Sequence, residues 1–252
     1  PGKEEFHETL RYFKKQIELN NICLNLNTRV NVEQLNKSLF DEVIIATGIT
    51  PRKPDIQGID HSSVMSYIDV IANKKPLGNR VAILGAGGIG FDTAEFITHQ
   101  GQSSAENIEK FMQEWGIDMS LDARGGIEGV SALPDPSPRE VYLLQRKTSK
   151  VGSGLGKTTG WIHRAGLAKK NVKMINGCSY QRIDDQGLHL EINDQQQTLA
   201  VDNIIVCAGQ DPLTELVEGL EKPFHLIGGA ETASELDAKA AIEQGTKIAA
   251  SL

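Results

Sequence analysis

Three glycines at fixed spacing carry the clearest chemical signal in the chain. Gly85, Gly87 and Gly90 lie in the turn Gly85-Ala86-Gly87-Gly88-Ile89-Gly90. An apolar segment, Val81-Ala82-Ile83-Leu84, precedes the turn and reads as a buried strand. Residues 89–99 follow it and read as a helix. That context is what the motif requires. The first glycine makes a tight turn, the second lets the backbone approach a pyrophosphate, and the third allows close helix–strand packing. The free N–H groups at the helix start favour phosphate oxygens, with the backbone of Gly88 and Ile89 contributing.

The next strand, Val141-Tyr142-Leu143-Leu144, runs into Gln145-Arg146-Lys147. Sites for NAD place an acid at such a strand end, about 20 residues beyond the glycines, to bond the ribose 2′-hydroxyl. Two cations stand here instead. Arg146 and Lys147, with Lys150 in support, suit a 2′-phosphate and so NADP(H). The plain alternative is a solvated basic strand end.

Gly152-Ser153-Gly154-Leu155-Gly156-Lys157-Thr158 resembles a phosphate-binding P-loop but is one residue short, because Val151 stands where the first glycine belongs. An ATPase reading is therefore rejected. The glycines are expected to lead into a helix over 157–170. No histidine has a nucleophile or carboxylate placed for a catalytic triad by spacing. His163 and His225 read as structural, and the other four are too scattered for a metal site. Cys23, Cys178 and Cys207 have neither metal-ligand nor Cys-x-x-Cys spacing. They read as buried, reduced thiols of a cytoplasmic protein.

The elements that must position these residues alternate. A helix is expected over 3–20 and strands over 22–26 and 42–48, joined by a polar connector at 32–39. Partial helix is expected over 64–72, and a strand over 172–175. A hairpin over 179–192 turns at 184–187, with a third strand near 199–201. Strands at 203–208 and 224–229 run into glycines, and an Ala-rich helix covers 233–252. This is an α/β pattern, with a mostly parallel sheet and a small antiparallel insert. Residues 100–139 read as an excursion, a lid or a docking surface. The endings Val43–Gly48 and Ile204–Gly209 echo each other and suggest two Rossmann-like dinucleotide-binding domains.

The chain has 252 residues, 39% hydrophobic and 23% charged, with a net charge of −7. That suits a soluble globular protein. It argues against nucleic acid as a partner, because phosphate neutralisation needs a basic face. No apolar run approaches the roughly 20 residues that span a bilayer. The start, Pro1-Gly2-Lys3-Glu4-Glu5, has no signal-peptide core and no Met, so the chain reads as cut from something longer.

Several segments together resemble the C-terminal half of bacterial NADPH-dependent 2,4-dienoyl-CoA reductase. They are Gly85–Asp92, Leu144–Lys147, Val206–Gln210, Leu226–Gly229 and, most specifically, Gly154-Leu155-Gly156-Lys157-Thr158-Thr159-Gly160-Trp161-Ile162-His163-Arg164. The resemblance runs along essentially the whole chain. It implies an NADP(H) domain over about 77–210, inserted in a partial FAD domain formed by 1–76 and 211–252. Thr47, Gly48, Gly209, Gly228 and Gly229 then join the glycine turn as cofactor-binding positions. The family passes a hydride from NADPH to FAD, then electrons through a 4Fe-4S cluster to FMN, which reduces an unsaturated acyl-CoA in fatty-acid β-oxidation. The FMN barrel and the cluster cysteines belong to an N-terminal part with no counterpart here. The FAD glycine motif is expected upstream of Pro1. The resemblance thus implies a fragment that lacks catalytic residues of its own and is inactive on acyl-CoA in isolation. Two other readings stay open: a related flavin reductase, trimethylamine-dehydrogenase-like or old-yellow-enzyme-like, with another substrate, and a non-catalytic nucleotide-binding or docking module.

Overall fold

The computed structural model describes residues 2–234 and 237–252. The chain opens with α1 (Phe6–Leu19) and α2 (Val32–Lys37), then β1 (Val43–Ile45) and β2 (Ile49–Pro51). Next come β3 (Val64–Ser66), α3 (Tyr67–Ile71), β4 (Arg80–Leu84), α4 (Gly88–Thr98) and α5 (Ile108–Trp115). β5 (Glu140–Leu144), α6 (Gly160–Lys169) and β6 (Lys173–Ile175) lead to a meander of β7 (Cys178–Asp184), β8 (Gly187–Ile192) and β9 (Gln195–Leu199). β10 (Asn203–Val206), β11 (Gln210–Pro212), β12 (Phe224–Leu226) and α7 (Ala238–Ala249) complete it. The Ala-rich helix expected over 233–252 includes 235–236, and these, like Pro1, lie outside the described residues.

The chain divides into two compact units. One comprises residues 1–14 and 53–208, the other 15–52 and 209–252. The first holds a five-stranded sheet in the order β3-β10-β4-β5-β6, every pair parallel. Alternate residues of β4 serve opposite faces, as strand geometry dictates. Val81 and Ile83 pack with Phe91, Ala94 and Ile97 of α4 and Leu167 of α6. Ala82 and Leu84 pack with Cys178, Ile183, Leu188 and Leu190 of the antiparallel meander. The α/β class with a mostly parallel sheet is as the sequence predicts. The meander is the second cover of that sheet, so its role is larger than that of a local insert.

The second unit holds two small sheets, β1 paired parallel with β12 and β2 paired antiparallel with β11. The echoing segments therefore stand in different sheets. Each runs into a left-handed glycine, Gly48 at φ 78° and Gly209 at φ 110°.

Two local expectations need correction. Residues 22–26 form no strand, and Ile22, Leu24 and Leu26 are exposed. Among the described residues no neighbouring strand pairs with them, and an extended segment without a ladder gains nothing from strand geometry. The polar stretch 32–39 is largely α2. Asn31 caps it through a reciprocal box with Gln34, a signal that outweighs the weak apolar periodicity. The third meander strand lies slightly earlier than expected. Asn193 (φ 51°) and Asp194 (φ 61°) form a tight left-handed turn that sets its register.

Candidate dinucleotide site

The glycine turn sits at the carboxyl end of β4, which is buried from Val81 to Leu84. Its glycines divide into two kinds. Gly85 has φ 111°, and a Cβ there would lie 2.3 Å from the Cys207 carbonyl oxygen. A Cβ on Gly90 would lie 1.9 Å from the Gly85 carbonyl oxygen. These two positions are closed by the protein's own backbone. A Cβ on Gly87 or Gly88, by contrast, would meet nothing within 4 Å. Gly87 is the N-cap of α4, and no side chain caps that helix. The first-turn amides of Gly88, Ile89 and Gly90 therefore face an open cradle. That cradle and the helix dipole fit a pyrophosphate.

Parallel pairing brings the second strand end beside this cradle. Leu84 pairs with Leu144, and the Gly85 N–H donates to the Leu144 carbonyl at 2.9 Å. The following loop is fixed by its own hydrogen bonds. The Gln145 amide donates to the carbonyls of Lys147 (3.0 Å) and Ser149 (2.8 Å), and Asn176 donates to the Thr148 carbonyl (2.6 Å). Arg146 and Lys147 are exposed on this loop. Among the described residues neither side chain forms an ion pair. The arrangement offers two uncompensated cations on a rigid support, which is what an anionic ligand group needs.

The glycine-rich segment 152–158 is turns rather than a phosphate loop. Gly152 has φ 74°, and a Cβ on it would press on the Phe91 ring at 2.7 Å. Its carbonyl accepts a hydrogen bond from Arg164 Nη1 at 2.8 Å. The glycines thus let the loop close on α4 and α6.

In the second unit the predicted positions form two groups. Thr47 Oγ1 donates to the Leu213 carbonyl at 2.5 Å, and the Gly48 carbonyl accepts from the Leu213 N–H at 3.1 Å. A Cβ on Gly229 would touch Ile49 Cγ2 at 2.7 Å and the Gly48 carbonyl carbon at 3.1 Å. Thr47, Gly48, Gly228 and Gly229 are therefore neighbours. Gly228 donates its N–H to Gln244 Oε1 at 2.6 Å. Gly209 lies apart from them, on the β2–β11 ribbon, where its carbonyl accepts from the Arg52 N–H at 3.0 Å.

Sequence reasoning missed one pair. His163 Nδ1 lies 2.6 Å from Glu95 Oε1, joining α6 to α4. The partners are 68 residues apart, so no spacing could have revealed them. His225 bonds Glu42 at 2.7 Å. Of the thiols, Cys178 and Cys207 are buried as expected, but Cys23 is exposed, because the segment around it has no partner. Burial pushes the Cys207 thiol up to about 12, with a Thr93 hydrogen bond opposing. Burial raises the Cys178 thiol as well. Among the described residues no three His, Cys, Asp or Glu side chains converge as a metal site, and no helix is long and apolar enough to cross a membrane.

The chain is similar to a metal reductase of Desulforamulus reducens, 22% identical over 91% of this chain and 34% of that protein. It is also similar to a cinnamate reductase of Clostridium sporogenes, 30% identical over 40% of this chain and 15% of that protein. Among solved structures, a 2-naphthoyl-CoA reductase aligns with a TM-score of 0.75 at 24% identity, covering 97% of this chain and 32% of that one. Histamine dehydrogenase from Rhizobium sp. 4-9 aligns with a TM-score of 0.69 at 15% identity, covering 100% and 37%. At those identities the structures show a shared fold. The chain spans about a third or less of the length of these relatives. The model of the pyridine nucleotide-disulphide oxidoreductase family matches residues 7–238, and the chain belongs to that family.

Proposed function

We propose that this chain is the NADPH-receiving part of a larger flavoprotein reductase. Residues from about Leu77 to Gln210 form its NADP(H) domain. Thr47, Gly48, Gly228 and Gly229 belong to part of an FAD domain made by the flanking segments, and Gly209 is a cofactor-binding position at the end of the NADP(H) domain. When bound, NADPH supplies a hydride and FAD accepts it; the protein supplies binding and orientation. Gly85 and Gly90 shape the turn, the amides after Gly87 hold the pyrophosphate, and Arg146 and Lys147 select the 2′-phosphate. No side chain here is assigned a proton transfer.

The observation that carries this reading is the open cradle at Gly87 and Gly88 beside two unpaired cations. The resemblance to 2,4-dienoyl-CoA reductase supports an unsaturated acyl-CoA as the final acceptor. In that reading the FMN and iron–sulfur elements lie in a domain of the same polypeptide outside these residues. The relatives' names differ in the substrate reduced, so a flavin reductase of another substrate is the second reading. Both share the NADPH half.

The test is calorimetric titration with NADPH and NADH. Arg146→Ala with Lys147→Ala should remove the preference for NADPH. Each charge-assisted contact is worth about 1.5–3 kcal/mol, so the double variant should weaken NADPH at least about tenfold and leave NADH nearly unchanged. An intact preference would refute the assignment.

A further inference from the structure

The excursion between α4 and β5 does more than connect them. Together with α4 and α6 it lines a half-open cavity of about 250 Å³. Phe111 and Trp115 of α5 and Ile162 and Leu167 of α6 line it. The cavity is separate from the pyrophosphate cradle. Glu95 and His99, which line it, lie seven and eleven residues beyond the start of α4. At 1.5 Å per residue that is roughly 10–16 Å along the helix.

The charges around the cavity are unevenly matched. Glu95 is engaged by His163 at 2.6 Å, and His99 Nε2 bonds the Gly101 carbonyl at 2.9 Å. Lys169 Nζ sits 3.7 Å from the Trp115 ring centroid and donates to the Glu114 carbonyl at 3.1 Å. Among the described residues neither Lys169 nor Lys170 forms an ion pair. Burial pulls the Lys169 ammonium below its ordinary range, and the more distant Glu114 carboxylate only opposes this. Glu114 also lines the cavity and compensates the partly desolvated Lys169 ammonium only in part, since burial outweighs it. A cationic ligand would compete with Lys169 for the Trp115 face. An anion would complete the arrangement, and a pocket with apolar walls and few polar groups is the usual form of a small-molecule site.

We propose that this cavity binds an aryl-alkyl carboxylate, its ring between Phe111, Trp115 and Leu167 and its carboxylate on Lys169, with Lys170 beside it. The site is independent of the dinucleotide reading.

The test uses the 252-residue chain and 4-phenylbutyrate. Binding is followed by calorimetry and by tryptophan fluorescence. The chain's two tryptophans are Trp115 and Trp161, whose rings lie 6.3 Å apart at this site. Saturable binding is expected, with a Kd of roughly 1 mM or tighter. The neutral 4-phenylbutanamide should bind about tenfold more weakly, and Lys169→Gln should lose about the same factor for the carboxylate only. Gly166→Leu fills the cavity and should abolish binding. A Cβ at Gly166 meets nothing within 4 Å, and leucine is the better helix former, so its thermal unfolding should stay at or above that of the parent chain. Three results would overturn the proposal: no saturable binding to the folded chain, equal affinity for acid and amide, or parental affinity in a folded Gly166→Leu variant.

Discussion

The two units of the chain bury their apolar residues in opposite ways. In the unit built on residues 53–208, β4 is sealed from Val81 to Leu84, and apolar clusters pack on both faces of the sheet. In the unit built on 15–52 and 209–252, the buried hydrophobic side chains among the described residues are Ile45 and Ala230. Leu24, Leu26, Phe40, Ile242 and Leu39 (99%) are exposed there. A folding unit normally covers most of its apolar surface, and exposed apolar groups in number mark a surface that meets something else. The first unit thus has a closed core behind its glycine turn. The second has glycines placed beside one another but little core to fix them. This supports its assignment as part of a larger FAD domain.

Substitutions in the two units should have different consequences. The largest effect should come from Gly90→Ala, whose Cβ would sit 1.9 Å from a backbone oxygen. Overpacking that cannot relax costs about 3 kcal/mol, to be read from urea unfolding. Loss of less than about 1 kcal/mol would mean that the turn is loosely packed. Gly87→Val should do the reverse. It meets open space at an ordinary φ of −83°, so stability should hold while NADPH affinity falls by at least about a hundredfold, or about 2.7 kcal/mol. Unchanged affinity would make the turn merely structural. Gly48→Ala in the second unit also meets open space, but at φ 78°. It should cost only about 1 kcal/mol, and a larger loss would reveal packing around that glycine. The smallest effect is on thiol labelling. At mildly alkaline pH the folded chain should be alkylated at Cys23 alone. Cys178 and Cys207 should react only after unfolding, because burial holds both thiols protonated. Rapid labelling of Cys207 in the folded chain would contradict the sealed core of the first unit.

The parts of this molecule that were legible in sequence are those where local rules and packing agree. Strand β4, its glycine turn and α4 follow from apolar runs and glycine spacing, and the hairpin of β7 and β8 from its turn. What stayed hidden depends on distant partners. The segment 22–26 has strand composition, but a strand exists only through a neighbour. The covering role of the meander rests on Leu188 and Leu190 meeting the even-numbered face of β4, which no periodicity within either segment discloses. Glu95 and His163 meet because two helices cross, and the cavity beside them exists because a Pro- and Gly-rich excursion folds back. Helix α2 is a different case. Its capping box was visible at Asn31 and Gln34, and the polar surroundings masked it.

Residues around the 85–90 turn, with Arg146 and Lys147, are proposed to bind NADP(H) in preference to NAD(H). The most direct measurement is the ratio of NADPH and NADH dissociation constants for the unaltered chain, by calorimetry at moderate salt. Saturable NADPH binding is expected, at least about tenfold tighter than NADH, with a gap that narrows as salt screens the two exposed cations. Equal affinities, or no binding of either nucleotide to the folded chain, would contradict it.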